Sequence, residues 1–144
     1  MDNRPIGIFD SGVGGLTVVK EIVKSLPNEN IVYFGDTARV PYGAKSKDVV
    51  TKYSKQIVRF LMTKNVKAII IACNTVSSNS LDELKKAFDI PFVGVVEPGV
   101  RSVIDTTKNK KVGIIGTEAT VRSGMYTKLI HKADNSIEVF SKPC

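Results

Sequence analysis

Cys73, Asn74 and Thr75 set a thiol, an amide and a hydroxyl on three successive residues. They follow Ala68-Ile69-Ile70-Ile71-Ala72, a run without polar alternation, which is the pattern of a parallel strand buried on both faces. The carboxyl end of such a strand is where open α/β sheets bind ligands. A thiol with an ordinary pKa of about 8.5 can serve as acid and as base near neutral pH, so Cys73 is the first candidate for chemistry. A helix beginning just after Asn74 would favour its thiolate through the N-terminal dipole. Ser80 and Glu83 have capping-box spacing, which leaves the helix start between Asn74 and Ser80. The competing reading is a core cysteine, since free Cys is among the most buried residue types.

A second chemistry-bearing stretch is Asp10-Ser11-Gly12-Val13-Gly14-Gly15, after the apolar segment Pro5-Ile6-Gly7-Ile8-Phe9. Its glycines permit close backbone approach and offer N–H groups at a helix start, which suits a small carboxylate or amino acid as well as a phosphate. Asp10 can accept from an ammonium group or poise a neighbouring thiol; alternatively it caps the helix that follows. With Asp36 about 20 residues on, the stretch invites a dinucleotide reading. Against that, the third glycine of the fingerprint falls at Thr17, and Asp10 would set a carboxylate beside the pyrophosphate. No Walker lysine follows. Tyr42-Gly43 lies in the polar loop after the second strand, so Asp10-Ser11, Tyr42-Gly43 and Cys73-Asn74-Thr75 would share one edge of a parallel sheet and could line one pocket.

The elements that must position these groups alternate. Strands are expected at Pro5–Phe9, Asn30–Phe34, Ala68–Ala72, Pro91–Val96, Val112–Gly116 and Ser136–Phe140. Between them lie a helix with Leu16, Val19, Val23 and Leu26 on one face, closed by Pro27, and a helix capped by Ser46 with Val49, Tyr53, Ile57, Phe60 and Leu61 inside. Further helices follow over Leu81, Leu84 and Phe88, over Val100–Thr107, and from Thr117 or Thr120 to about Lys132, with Glu97-Pro98-Gly99 read as a turn. The class is α/β: a mostly parallel sheet flanked by helices. The similar openings Ile6-Gly7-Ile8-Phe9 and Val112-Gly113-Ile114-Ile115 hint at two related lobes, divided here as residues 1–97 and 98–144, the second incomplete.

At 144 residues the chain suits one domain with a respectable core. Met1–Pro5 lacks the basic and apolar regions of a signal peptide and no apolar run is long enough to span a bilayer, so a cytoplasmic protein with no membrane partner is expected. Cys73 and Cys144 have no metal-ligand spacing and read as free thiols in a reducing compartment. The net charge of +7 suits an anionic partner. The lysines are spread over helices rather than clustered with aromatics, which favours solvated helix faces over nucleic acid. A chain that halts just past a strand at Ser141-Lys142-Pro143-Cys144 reads as cut within a loop, a fragment of a longer protein.

Five ordered blocks then carry a resemblance: Ile8–Thr17, Asp36–Gly43, Ala72–Thr75, Glu97–Gly99 and Gly116–Thr120. The whole chain resembles the amino-terminal part of the glutamate racemases, enzymes that interconvert L- and D-glutamate for peptidoglycan without a cofactor. The resemblance implies a pair of cysteines on opposite faces of the substrate Cα. Cys73 matches the first and Asp10 the acid that assists it. Ser11, Tyr42, Gly43, Asn74, Thr75, Thr117 and Thr120 match substrate-binding positions, as does Asp10 itself. The resemblance leaves room for a homodimer of the full-length enzyme. The second cysteine belongs to a Gly-Cys-Thr-His block that is absent here, and Cys144 matches instead the opening of a stretch beginning Cys-Pro-Leu. His131 lies in a helical pattern and reads as a surface residue. A related aspartate or hydantoin racemase, and a nucleotide-binding module without catalysis, are the alternatives.

Overall fold

The computed structural model describes residues 2–144. Six strands and seven helices are seen among them: β1 (Ile6–Asp10), α1 (Leu16–Ser25), β2 (Ile31–Gly35), α2 (Lys47–Thr63), β3 (Ala68–Ile71), α3 (Asn74–Asn79), α4 (Leu81–Ala87), β4 (Phe92–Gly94), α5 (Val96–Thr106), β5 (Lys111–Gly116), α6 (Glu118–Ser123), α7 (Met125–Ala133) and β6 (Glu138–Pro143). Strands β1 to β4 form one sheet in the order β2-β1-β3-β4, and β5 pairs with β6 in a second. Every pairing is parallel, so the α/β class read from the alternating elements holds. Among the described residues no helix is long and apolar enough to cross a membrane.

The order of the first sheet fixes where its helices go. β1 to β2 winds one way and β2 to β3 the other, so right-handed crossovers put α1 on one face and α2 with α4 on the other. The larger core lies on the α2 side, where Val50, Ile57, Val58 and Leu61 pack with Phe9, Ile69, Ile71, Val76 and Leu84. Gly7 leaves room there, since a Cβ on it would stand 3.2 Å from a Val66 methyl. The buried stripe of α2 is therefore Val50-Ser54-Ile57-Val58-Leu61 rather than one through Val49 and Phe60. Ser54 hides this register in the sequence: it is a polar residue in the inner stripe, and its hydroxyl is satisfied by the Val50 carbonyl at 2.8 Å. Phe60 is instead 42% exposed and tilts against Phe34. On the other face α1 has no fully buried residue.

A second core joins Val96 and Val100 of α5 to Ile130 and Ile137, with Val112, Ile114 and Val139 of the small sheet against it. Glu97-Pro98-Gly99 is not a turn but the first turn of α5. Proline is tolerated there because its missing N–H would have had no partner inside the helix. The strand before it is accordingly short, Phe92–Gly94 rather than Pro91–Val96. The expected helix from residue 117 to 132 is two helices, broken at Gly124, whose φ of 62° ends α6 in the left-handed region. Ser136 belongs to a turn, donating to Asp134 from both its backbone N–H and its hydroxyl, so the last strand starts at Glu138 and runs on to Pro143.

Candidate active site

β1 and β3 are neighbours, and the winding reverses between them. That reversal is the topological switch point, where the loops leaving two adjacent strands diverge and open a crevice. Asp10 is the last residue of β1 and Cys73 is the second residue after β3, so the two lie at its floor. The strand ends are tied: Ala72 N–H donates to Phe9 O at 2.8 Å, and Asp36 N–H to Asp10 O at 3.0 Å.

Cys73 is 5% exposed, and its thiol donates to the Ser11 hydroxyl at 3.3 Å. It is the N-cap of α3, which starts at Asn74; α4 starts anew after Ser80, so both helix starts read from the sequence exist. Ser80 does not cap α4, because its hydroxyl pairs with Thr51 at 2.7 Å, and Glu83 reaches Lys47 at 2.6 Å. Thiolate stabilisation by the helix start is not what prevails at Cys73. Burial pushes the thiol up from its ordinary pKa, and the Asp10 charge adds to the push, while the Ser11 hydroxyl and the Val76 backbone N–H pull the other way. The net push upward keeps Cys73 a protonated thiol at neutral pH.

Asp10 serves the loop as well as the crevice. Its Oδ2 accepts from Gly15 N–H at 2.9 Å and from Gly12 N–H at 3.3 Å, which braces the glycine loop into the start of α1. Gly15 is required there, since a Cβ would stand 2.6 Å from Asp10 Cβ and 3.0 Å from Ala72 Cβ. The N–H groups of Gly12 and Gly15, expected to be open to a ligand, are thus taken by Asp10. Asp36 is equally committed. It is buried, and its Oδ2 both receives the Tyr42 hydroxyl and pairs with Arg39 Nε at 2.6 Å.

Tyr42 is buried with its ring near Tyr53, and burial with the Asp36 charge pushes its hydroxyl far above the usual phenol range. It therefore brings a ring and a backbone to the site rather than a free hydroxyl. Gly43 lets the same loop touch α6: Ala119 N–H donates to Gly43 O at 3.2 Å, and a Cβ on Gly43 would stand 2.5 Å from Thr117 Cβ. Thr75, Thr117 and Thr120 converge, with Oγ1 atoms 2.9 Å apart for Thr75 and Thr117 and 3.0 Å for Thr117 and Thr120. Asn79 spans the same seam, donating to Thr75 O at 2.9 Å and Ala119 O at 3.2 Å. Asn74 is exposed, and its Oδ1 accepts from the Tyr126 hydroxyl at 2.6 Å. Asn74, Thr117, Thr120 and Tyr126 line a cavity of about 380 Å³ with the end of β5.

The residues singled out in the sequence thus gather at one seam: Asp10, Ser11 and Cys73 on the crevice floor, Tyr42-Gly43 and Asn74-Thr75 beside it, Thr117 and Thr120 across from them. Tyr126 was not foreseen, since only a helical stripe marks it in the sequence and its partner lies 52 positions earlier. Cys144 sits apart at the end of β6, exposed, its thiol donating to Gly116 O at 3.6 Å. His131 is on the surface, its Nε2 3.1 Å from Ile137 O. Among the described residues no group of three or more His, Cys, Asp or Glu side chains converges as a metal site would require.

Comparison with known proteins shows the family and the fold. Residues 6–142 match the family described as Asp/Glu/Hydantoin racemase. Over 141 residues the chain is 52% identical to the glutamate racemase of Geobacter metallireducens, covering 98% of this chain and 52% of that protein. It superposes on a glutamate racemase isoform from Bacillus anthracis with a TM-score of 0.95 and 44% identity. On the Francisella tularensis glutamate racemase solved with D-glutamate the TM-score is 0.90 with 50% identity. In both, the match covers 100% of this chain and 54% of the other. The chain spans about half the length of these relatives. With the match running through nearly every described residue, including Asp10 and Cys73, the chain belongs to the aspartate/glutamate/hydantoin racemase family.

Proposed function

We propose that this chain supplies the Cys73 half of a glutamate racemase site, in which two thiols exchange a proton at the substrate Cα without a cofactor. Racemisation removes a proton from one face and returns one to the other, so it needs two acid–base groups on opposite sides. One sulfur is a thiolate and takes the Cα proton, leaving its electron pair on carbon. The opposite S–H then gives its proton to the other face. Cys73, a buried thiol, is the donor for one direction and, once ionised, the base for the other. Because burial and Asp10 make its thiolate costly, the ion that forms is a strong base. A substrate ammonium beside Asp10 would neutralise that carboxylate and ease the ionisation. The carbanion is to be stabilised by hydrogen bonds from Ser11, Asn74, Thr75, Thr117 and Thr120 in a pocket closed to water, with Tyr42 and Gly43 shaping its wall.

The observation that carries this reading is the pair Asp10 and Cys73 at the switch point, with the Gly12 and Gly15 amides taken by Asp10. It favours an amino-acid substrate over a nucleotide, and the names of the relatives favour glutamate over aspartate or hydantoins. The same reading makes residues 1–97 and 98–144 parts of two lobes that face each other across the site, and places the activity in cytoplasmic D-glutamate supply for peptidoglycan. The opposing thiol is to come from outside these residues. Cys144 is held by its own backbone bond to Gly116 at 3.0 Å and by its thiol contact there. The test of substrate class is thermal: L- or D-glutamate should raise the melting temperature while NAD and ATP leave it unchanged. A shift with the nucleotides alone would reject the reading.

A further inference from the structure

Asn74 presents its side chain in an unusual way for an exposed residue. Its carbonyl oxygen is the acceptor of a 2.6 Å bond from the Tyr126 hydroxyl, and among the described residues its Nδ2 has no protein acceptor. An amide is planar, so fixing Oδ1 on Tyr126 fixes the direction in which the two N–H bonds of Nδ2 point. Without Tyr126, Asn74 would be free to turn its oxygen toward a ligand, and a carboxylate would then meet an acceptor instead of a donor.

The phenol that does this is itself held. Burial pushes the Tyr126 hydroxyl pKa up, keeping it a donor across the neutral range. Its ring lies against Gly99 of α5, where a Cβ would stand 3.2 Å from both Cε1 and the hydroxyl oxygen. Glycine within a helix is destabilising relative to alanine, and Gly99 has an ordinary helical backbone, so the space left for Tyr126 is the local reason for it. Tyr126 comes from α7 and Asn74 from the start of α3, and both line the cavity that holds Thr117 and Thr120.

We infer that Tyr126 is a positioning residue: its hydroxyl locks the Asn74 amide so that Nδ2 faces the pocket as a ready donor to a substrate carboxylate. The carboxylate is the part that rests on the function proposed above; the locked amide does not. Two measurements separate them. In ¹⁵N-labelled protein, the Asn74 side-chain amide should relax as a rigid group, with an order parameter near that of ordered backbone, about 0.85. In Tyr126→Phe, which keeps the ring against Gly99, it should fall below about 0.6 with the melting curve little changed. An amide already mobile in the unaltered protein, or unmoved by the substitution, overturns the inference.

Titration calorimetry with L-glutamate then reads the consequence. Tyr126→Phe should weaken binding about five- to tenfold, the scale of one lost hydrogen bond. Asn74→Ala should also weaken it, and the double variant should bind no worse than Asn74→Ala alone, because the hydroxyl acts through that amide. Additive losses would overturn the positioning role, as would unchanged affinity in Tyr126→Phe. A rigid amide in a protein that binds no glutamate would instead count against the proposed substrate while leaving the lock in place.

Discussion

Two groups set the protonation of Cys73 in opposite senses, and each can be removed singly. In a Cys144→Ser background the only remaining cysteine is Cys73, so thiolate absorbance reports its titration directly. Asp10→Asn removes a charge that pushes the thiol up and should lower its pKa; Ser11→Ala removes the hydroxyl that can turn and donate to the thiolate, and should raise it further. Shifts of the opposite sign would mean that Asp10 does not act on the sulfur. Stability carries the same signature. Because the folded chain holds the Cys73 proton more tightly than the unfolded one, the associated stability is complete below about pH 8.5 and is lost as pH rises through the folded value. The melting temperature should therefore decline from pH 8.5 upward, and Cys73→Ala should flatten that decline below about pH 10, where the buried tyrosines begin to matter. Asp10, Ser11 and Cys73 were legible in the sequence because strand ends in an α/β order announce a ligand edge. The sign of the Cys73 shift was not, since it depends on how completely the packed chain excludes water from the sulfur.

At the scale of elements, the seam between the β2–α2 loop and α6 is set by one missing methyl group. Gly43→Ala would force a Cβ to within 2.5 Å of Thr117 Cβ, and overpacking of that kind costs about 1–3 kcal/mol. Gly113→Ala, in β5 with nothing within 4 Å, is the matched control and should stay within about 0.5 kcal/mol of the unaltered protein. Chemical denaturation of the two variants checks this, and equal stabilities would mean the seam can open at no cost. The same scale shows where sequence reading failed. The alternation of strands and helices followed from hydrophobic period, yet the α2 register slipped because Ser54 is buried, and Pro98 in a first helical turn looked like a turn residue. In both cases a tertiary or positional circumstance makes an unfavourable residue acceptable, and no local pattern records it.

Under the two-thiol proposal, these 144 residues carry one thiol face of a two-faced reaction. The chain by itself is expected to give no racemisation of D-glutamate, and activity lost in Cys144→Ser would make Cys144 the second base instead. The two-thiol proposal is tested by Cys73→Ala in a protein of the relatives' full length. Incubated with each glutamate enantiomer in deuterated water, it should lose racemisation by roughly 10²–10⁴-fold, the range of a positioned general acid–base, while calorimetry still records glutamate binding. Racemisation and Cα exchange at the unaltered rate in that variant would overturn the proposal and leave Cys73 a core cysteine.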